Sequence, residues 1–596
     1  MLPVCPVILP LFTAALLAAL TKLISQRLSQ AIAIAATVAT LGCNLWLMNA
    51  SAAAPIVYWF GNWRPRDGIA LGICFAVDPI GAGLAAFATF LTLAAFIFSA
   101  KYFDAVGNHF HALLLAFLAA MCGFSLTGDL FNMFVFFELM SAAAFALCAY
   151  KTEDPGSLQG GFNFAVMNAI AAYFVLTGIA LLYARTGALN MAQMSRVLDS
   201  RLPDSLVIAG FVFIVCGYLV KAAVVPFHFW LADAHAVAPT PVCILFSGVM
   251  IQMGLLAFAR TYFAIFHHSF AAHLEALTNL FVTAGVITAV VGSFMCYLQR
   301  NIKRLLAFST IAHLGIMMMG ISLFSAEGLA GAAIYTLGHG VVKASLFLVA
   351  GILLHRFKTV DEWDLYAKGR GHPCTAVVYF VSGIALAGIP YSGLASGVDL
   401  IHAAAKATGF DGLRWISMGA GAVTSAAVLR AGVRIFLGWG PKTDRGAAPK
   451  QEESPETDEG HSHTPFTMFL PAAVLAAIGI VLGLVPKLQV AALHAAAQFT
   501  DTAAYASRVL DGRILPIASI AHAPPADLAG GFAAVLIAIA IAAAHLFSPT
   551  IRALSNIAIK PLHWLHKIHS GHIGDYVTFL TFGMACFGLI CVYCLQ

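Results

Sequence analysis

Sixteen apolar runs, each long enough to cross a lipid bilayer, follow one another through this chain with mostly short polar connections. A hydrocarbon core about 30 Å thick needs roughly 20 apolar residues in a helix. No water satisfies peptide groups there, so an isolated strand cannot span it and the runs read as helices. They fall at about 5–24, 30–49, 73–98, 109–127, 129–150, 161–183, 205–225, 241–265, 276–298, 303–323, 327–354, 374–404, 415–438, 466–487, 529–547 and 574–595. The expected fold class is an all-α polytopic membrane protein with about 16 transmembrane helices packed as one bundle. Charge content agrees: 10% of the 596 residues are charged, against about 25% in soluble domains.

The formal charge of +5 is small for this length, and the basic residues lie in short loops. That pattern speaks for membrane topology and against nucleic-acid binding. With the N-terminus outside, the inner loops of the first fourteen spans carry fourteen Lys and Arg and the outer loops eight, so this orientation is expected. The Met-Leu-Pro start lacks a basic leader and a small-residue cleavage site, and the first span is expected to be retained. Pro441 to Thr464 is polar, Pro-bearing and increasingly acidic, which reads as a disordered inner loop with His461 and His463 solvated. Residues 488–528 read as a soluble stretch on the outer side, and 548–573 as an amphipathic segment lying along the membrane or a neighbouring subunit. Cys591 and Cys594 form a lone CxxC, expected to face lipid and not to hold metal.

Ionisable residues inside apolar spans are costly and mark ion pathways. The stretch KAAVVPFHFWLADAHAVAPTP places Lys221 at the end of an apolar run, Pro226 five residues on, then His228, Asp233 and His235. A helix broken beside a charge is tolerated only where protein or water surrounds it. Glu138 lies within FNMFVFFELMSAAAFALCAY; pairing with Lys221 would stabilise both charges, and separation would change both proton affinities. His339 and Lys343, four residues apart, share one helix face and suit a proton relay, or else a bonded His beside a cavity-facing Lys. His313 follows Ser309 and Thr310 on a polar stripe that can hold water. Gly388, Pro390, Gly393 and Gly397 should interrupt the twelfth span, with Asp399 and His402 on one face beyond the break. Two interrupted helices in corresponding places point to a transport route.

These residues give the chain a resemblance to the antiporter-like membrane subunits of respiratory complex I, membrane-bound hydrogenases and multisubunit Mrp cation/proton antiporters. It looks most similar to the D-type subunits of Mrp antiporters and their complex I relative. The resemblance covers roughly 75–440 and is carried by GDLFNMFVFFELM, KAAVVPFHFWLADAHAVAPTPV, NIKRLLAFSTIAHLGIM and LGHGVVKASLFLVAG. It implies a 14-helix core with two inverted five-helix repeats, each with a broken helix. The implied sections are 1–108 (three N-terminal helices), 109–265 (first repeat), 266–440 (second repeat), 441–465 (polar inner loop) and 466–596 (C-terminal helices with the surface segment). By the same resemblance Glu138, Lys221, His228, Gln252, His313, His339, Lys343 and Asp399 would line a proton pathway along a hydrated axis. Two positions depart from the pattern. Gln252 stands where many relatives carry Lys and cannot accept a proton, and Gly397 stands where they carry Lys or Glu, with Asp399 two residues on.

The resemblance implies a proton-translocating subunit, partnered by other membrane subunits in a bacterial plasma membrane and driven by partner redox chemistry or by exchange against sodium. The chain shows no Cys cluster, dinucleotide fingerprint or phosphate loop, so no cofactor and no redox or ATP chemistry of its own is expected; at most it would serve a quinone-reductase or hydrogenase complex. Sodium would need several oxygen ligands, for which Glu138, Asp399, Asp78 and Asp129 are the candidates. The competing expectation is a scaffold subunit that has lost its exit residues.

Overall fold

A computed structural model describes residues 2–103, 107–200, 203–442, 463–516, 524–550 and 568–595. The polar loop expected at 441–465 and the surface segment expected at 548–573 therefore lie mostly outside the described residues. Among the described residues, fourteen helices are long and apolar enough to cross a membrane, and two further crossings are each made of two short helices.

The chain opens with α1 (Cys5–Ala19) and α2 (Gln26–Ala50), then a hairpin of β1 (Ile56–Trp59) and antiparallel β2 (Cys74–Val77). The expected third span, 73–98, begins in this hairpin instead. The Asp78 carboxylate accepts the Gly81 N–H at 3.0 Å and Pro79 occupies the first helical turn, so α3 (Pro79–Ser99) starts there. Next come α4 (Asn108–Leu126), α5 (Leu130–Cys148), α6 (Pro155–Thr186) and the short α7 (Met191–Asp199). The seventh crossing is α8 (Ser205–Lys221) and α9 (Phe229–Val237). Between them Ala223 takes a positive φ and Pro226 has no N–H to continue the ladder.

The eighth crossing holds α10 (Thr240–Leu245) and α11 (Ile251–Thr261), each followed by a π-helical turn, Phe246–Met250 and Tyr262–Phe266. Then follow α12 (Leu274–Leu298), α13 (Ile302–Ser322) and α14 (Ala326–Phe357). The twelfth crossing is interrupted as expected: α15 (Pro373–Ala385) stops before Gly388, and Ser392 caps α16 (Gly393–Ala407). With α17 (Leu413–Gly432) a second run of five crossings closes. Five is odd, so this run enters from the side opposite to the first (α4, α5, α6, α8/α9, α10–α11) and repeats its order upside down.

The most deeply buried crossings are α13, α14 and the 240–266 run, which place the centre of the bundle at the junction of the two halves. Around it lie α18 (Phe466–Val481), α21 (Leu528–Phe547) and α22 (Ile573–Leu595), each with well under half of its span buried. The stretch expected to be soluble at 488–528 is largely two packed helices, α19 (Pro486–Thr500) and α20 (Thr502–Asp511). They bury Leu493, Phe499 and Tyr505, stack Phe499 under the Arg260 guanidinium at 3.8 Å, and bond Thr502 Oγ1 to the Phe263 carbonyl at 2.7 Å. Cys591 is fully buried, not lipid-facing, because α22 turns that side towards α8.

Candidate functional site

Lys221 ends α8 at the break and is completely buried. Its Nζ donates to Ser141 Oγ on α5 at 2.9 Å and to Asn168 Oδ1 on α6 at 3.4 Å, beneath the Phe137 ring at 5.0 Å. The expected contact with Glu138 is absent. Phe137, Met140 and Ser141 turn inward on α5 and Glu138 sits on an exposed face, close enough for the two charges to act on one another but without an ion pair. Ser141 and Asn168 satisfy the ammonium in its place, as a buried charge requires.

Beyond Lys221 stands an aromatic partition. Phe164, 5.9 Å from Nζ, stacks on Trp230 at 4.6 Å and meets Phe246 edge-on at 5.6 Å. Phe246 in turn meets the ring of His235, which stacks on Phe347 at 4.8 Å. Both His235 ring nitrogens are buried without a hydrogen-bond partner among the described residues.

From Lys343 a chain of polar contacts crosses the second half. Lys343 Nζ donates to the Leu306 carbonyl at 2.5 Å, which also accepts from Thr310 Oγ1 at 2.8 Å. Thr310 meets Ser247 Oγ at 2.7 Å, on the π-helical turn of the eighth crossing. One turn on, Gln252 Nε2 donates to the Ser247 carbonyl at 3.0 Å and lies 3.4 Å from His339 Nδ1. The His339 and His313 rings are 5.1 Å apart. His313 Nδ1 is 2.6 Å from Tyr335 Oη, and its Nε2 is 3.1 Å from Thr424 Oγ1. Tyr335 lines a cavity of about 50 Å³ together with Asp399, His402, Arg414 and Asp527. His339 and Lys343 both face inward, fully buried.

The structure thus brings Gln252, His313, His339 and Lys343 together, places Lys221 across the aromatic partition, and sets Asp399 in the cavity beyond Tyr335. His228 is elsewhere: it lies in the break with Nε2 3.2 Å from His569 Nε2, facing the C-terminal segment. Of the outer carboxylates considered as sodium ligands, Asp78 is engaged by Arg260 in a buried ion pair and Asp129 caps α5. The neutral partners Ser141, Asn168, Ser247, Tyr335 and Thr424 were not singled out by sequence. Two had a signal: Ser141 falls three residues after Glu138, and Tyr335 four before His339 on the same helix face.

The family profile described as NADH:quinone oxidoreductase/Mrp antiporter, TM matches residues 127–422. The N subunit of the NADH-quinone oxidoreductase of Desulforudis audaxviator is 30% identical over 396 residues, 65% of this chain and 77% of that protein. The D-type subunit of the Na(+)/H(+) antiporter of Alkalihalophilus pseudofirmus is 29% identical over 462 residues, 76% of this chain and 87% of that protein. In shape the chain is similar to one in the Mrp complex from Dietzia sp. DQ12-45-1b, with a TM-score of 0.74 and 24% identity over 85% of this chain and 99% of that one. Sixteen crossings among the described residues, two of them broken, a buried lysine at the first break and these matches lead to one assignment: the chain belongs to the NADH:quinone oxidoreductase/Mrp antiporter family of membrane subunits.

Proposed function

We propose that this chain translocates protons as one membrane subunit of a larger assembly, either a multisubunit cation/proton antiporter or a redox-driven pump of the complex I and hydrogenase type. The observation that carries this reading is the buried line of polar groups from Lys343 through Thr310, Ser247, Gln252, His339 and His313 to Tyr335, linked partly through the Leu306 and Ser247 carbonyls and crossing from His339 to His313 by ring proximity at 5.1 Å. A buried string of this kind costs stability unless it is fully bonded, and a purely apolar core would hold the helices as well.

Lys221 and Lys343 are the two proton stores, and Glu138 biases the first by its field. Its exposed face on α5 is where a neighbouring subunit would bring or withdraw a charge. The aromatic partition of Phe164, Trp230 and Phe246 separates the two stores, so transfer between them requires these rings to move and water to enter. Gln252 relays by hydrogen bonding and stores no charge. The orientation follows the basic-loop count, with the N-terminus outside.

The test uses inverted membrane vesicles holding the complete complex. Lys343→Ala and Lys221→Ala should each abolish the pH change while leaving the complex assembled. A second reading, a scaffold subunit, is favoured by Gln252 and by Gly397; it predicts that both variants retain full transport.

A further inference from the structure

The C-terminal extension reaches the far end of the polar string. Asp527, the residue that caps α21, donates its backbone N–H to Asp399 Oδ2 at 3.2 Å and accepts the Gly530 N–H on Oδ1 at 3.0 Å. Its Oδ2 is held by Arg414 Nη2 at 2.5 Å. Helix α21 is also seated on the break itself. A Cβ built on Gly531 would lie 2.9 Å from both the Gly388 carbonyl oxygen and Pro390 Cγ, so only glycine allows this approach. The cavity between these elements is faced by Tyr335 from α14, Asp399 and His402 from α16, Arg414 from α17 and Asp527 at the start of α21. His402 Nε2 is buried there without a hydrogen-bond partner among the described residues.

We propose that the Arg414–Asp527 pair, half of it supplied by the C-terminal segment, gates the proton path electrostatically at this cavity by acting on Asp399 and His402. The gate rests on the translocation reading above. In the transfer, His313 in its imidazolium form passes its Nδ1 proton to Tyr335 Oη and returns to the neutral ring, while Tyr335 releases its own hydroxyl proton into the cavity. The Asp399 carboxylate or the neutral His402 ring takes it up and later gives it to water outside. A guanidinium at the mouth opposes each added positive charge. Asp527 neutralises that guanidinium, so a proton can dwell in the cavity only while the pair is made. The family profile ends at 422, so Asp527 is a functional part contributed by the segment that follows the shared core.

The experiment measures transport against pH in inverted vesicles carrying the complete complex, with assembly read by co-purification. Asp527→Asn keeps the helix cap but leaves Arg414 unpaired, so the pH of half-maximal transport should move to acid by about one unit. Arg414→Gln leaves Asp527 uncompensated and should move it the other way. The double variant should return close to the starting profile. A mere brace predicts no opposed shifts and a double variant as impaired as the worse single one, and that result overturns the gate. If Asp527→Asn fails to assemble, the alkaline shift of Arg414→Gln decides alone, and its absence overturns the proposal. Lys343→Ala run in parallel separates the two readings: its retention of transport removes translocation altogether, whereas its loss together with an unshifted Asp527→Asn removes only the gate.

Discussion

His313 Nδ1 and the Tyr335 hydroxyl lie 2.6 Å apart, and the same imidazole reaches Thr424 with its other nitrogen. One ring therefore bridges α13, α14 and α17, and Tyr335 is the residue of the string that also lines the Asp399 cavity. Tyr335→Phe keeps the ring and its packing but deletes the relay atom. Transport should fall by about tenfold or more, with stability reduced by about 1–3 kcal/mol for the buried nitrogen left unbonded. Wild-type transport in that variant would remove Tyr335 from the route.

Gly397 occupies the place where the family resemblance leads one to look for Lys or Glu. A Cβ there would lie 2.5 Å from the Tyr335 backbone nitrogen and 2.7 Å from its Cα. Helices α14 and α16 touch at this point, so no side chain fits without parting them. Gly397→Lys should therefore not restore a conventional exit. It should lower thermal stability by about 1–3 kcal/mol or more through overpacking and reduce transport by displacing Tyr335. A gain of transport in vesicles would contradict this.

Asp129 caps α5 just outside the span, accepting the Asn132 N–H at 2.8 Å. Burial pushes its carboxyl up from 3.8 to about 6, against the opposing pull of the backbone N–H groups of Asn132 and Phe131. Between these two values the folded chain keeps a proton that the unfolded chain has lost, so stability falls as pH rises through the window. At neutral pH the loss is at most about 3 kcal/mol. Asp129→Asn retains the cap and cannot titrate. Its melting temperature in detergent should be less sensitive than wild type to a change from pH 5 to pH 7, and equal sensitivity would count against the assignment.

The crossings and both breaks were legible because lipid leaves the backbone no alternative to a helix and because Pro226 and Gly388–Pro390 interrupt it. Rotation was not. Helix α5 is apolar on every side around Glu138, so nothing in its sequence says whether Glu138 or Ser141 turns towards Lys221. The neutral relay groups escaped for a related reason. Serine, threonine and tyrosine are ordinary in membrane helices, and Ser247 and Thr310 acquire meaning only when the π-helical turn at 246–250 brings them to 2.7 Å. Packing of α19 and α20 was hidden because short Ala-rich helices resemble a surface stretch in composition, and their anchors, Phe499 and Tyr505, meet partners far away in sequence.

Asp233 spends both carboxylate oxygens between helices: Oδ1 on Arg304 Nη2 at 2.6 Å and Oδ2 on the Tyr576 hydroxyl at 2.7 Å. Tyr576 also stacks with Phe229 at 5.6 Å, so α22 is tied to α9, the second half of the broken crossing. The two oxygens do different work. Asp233→Ala leaves the largely buried Arg304 without this partner and should cost about 3–5 kcal/mol, seen as poor recovery of folded protein. Tyr576→Phe removes one neutral donor, costs about 1–2 kcal/mol, and acts on α22 alone. Its expected signature is faster hydrogen exchange at 573–580 with exchange in α13 unchanged. If exchange accelerates equally in both helices, the tyrosine holds the whole bundle and α22 is no separate clamp on the break.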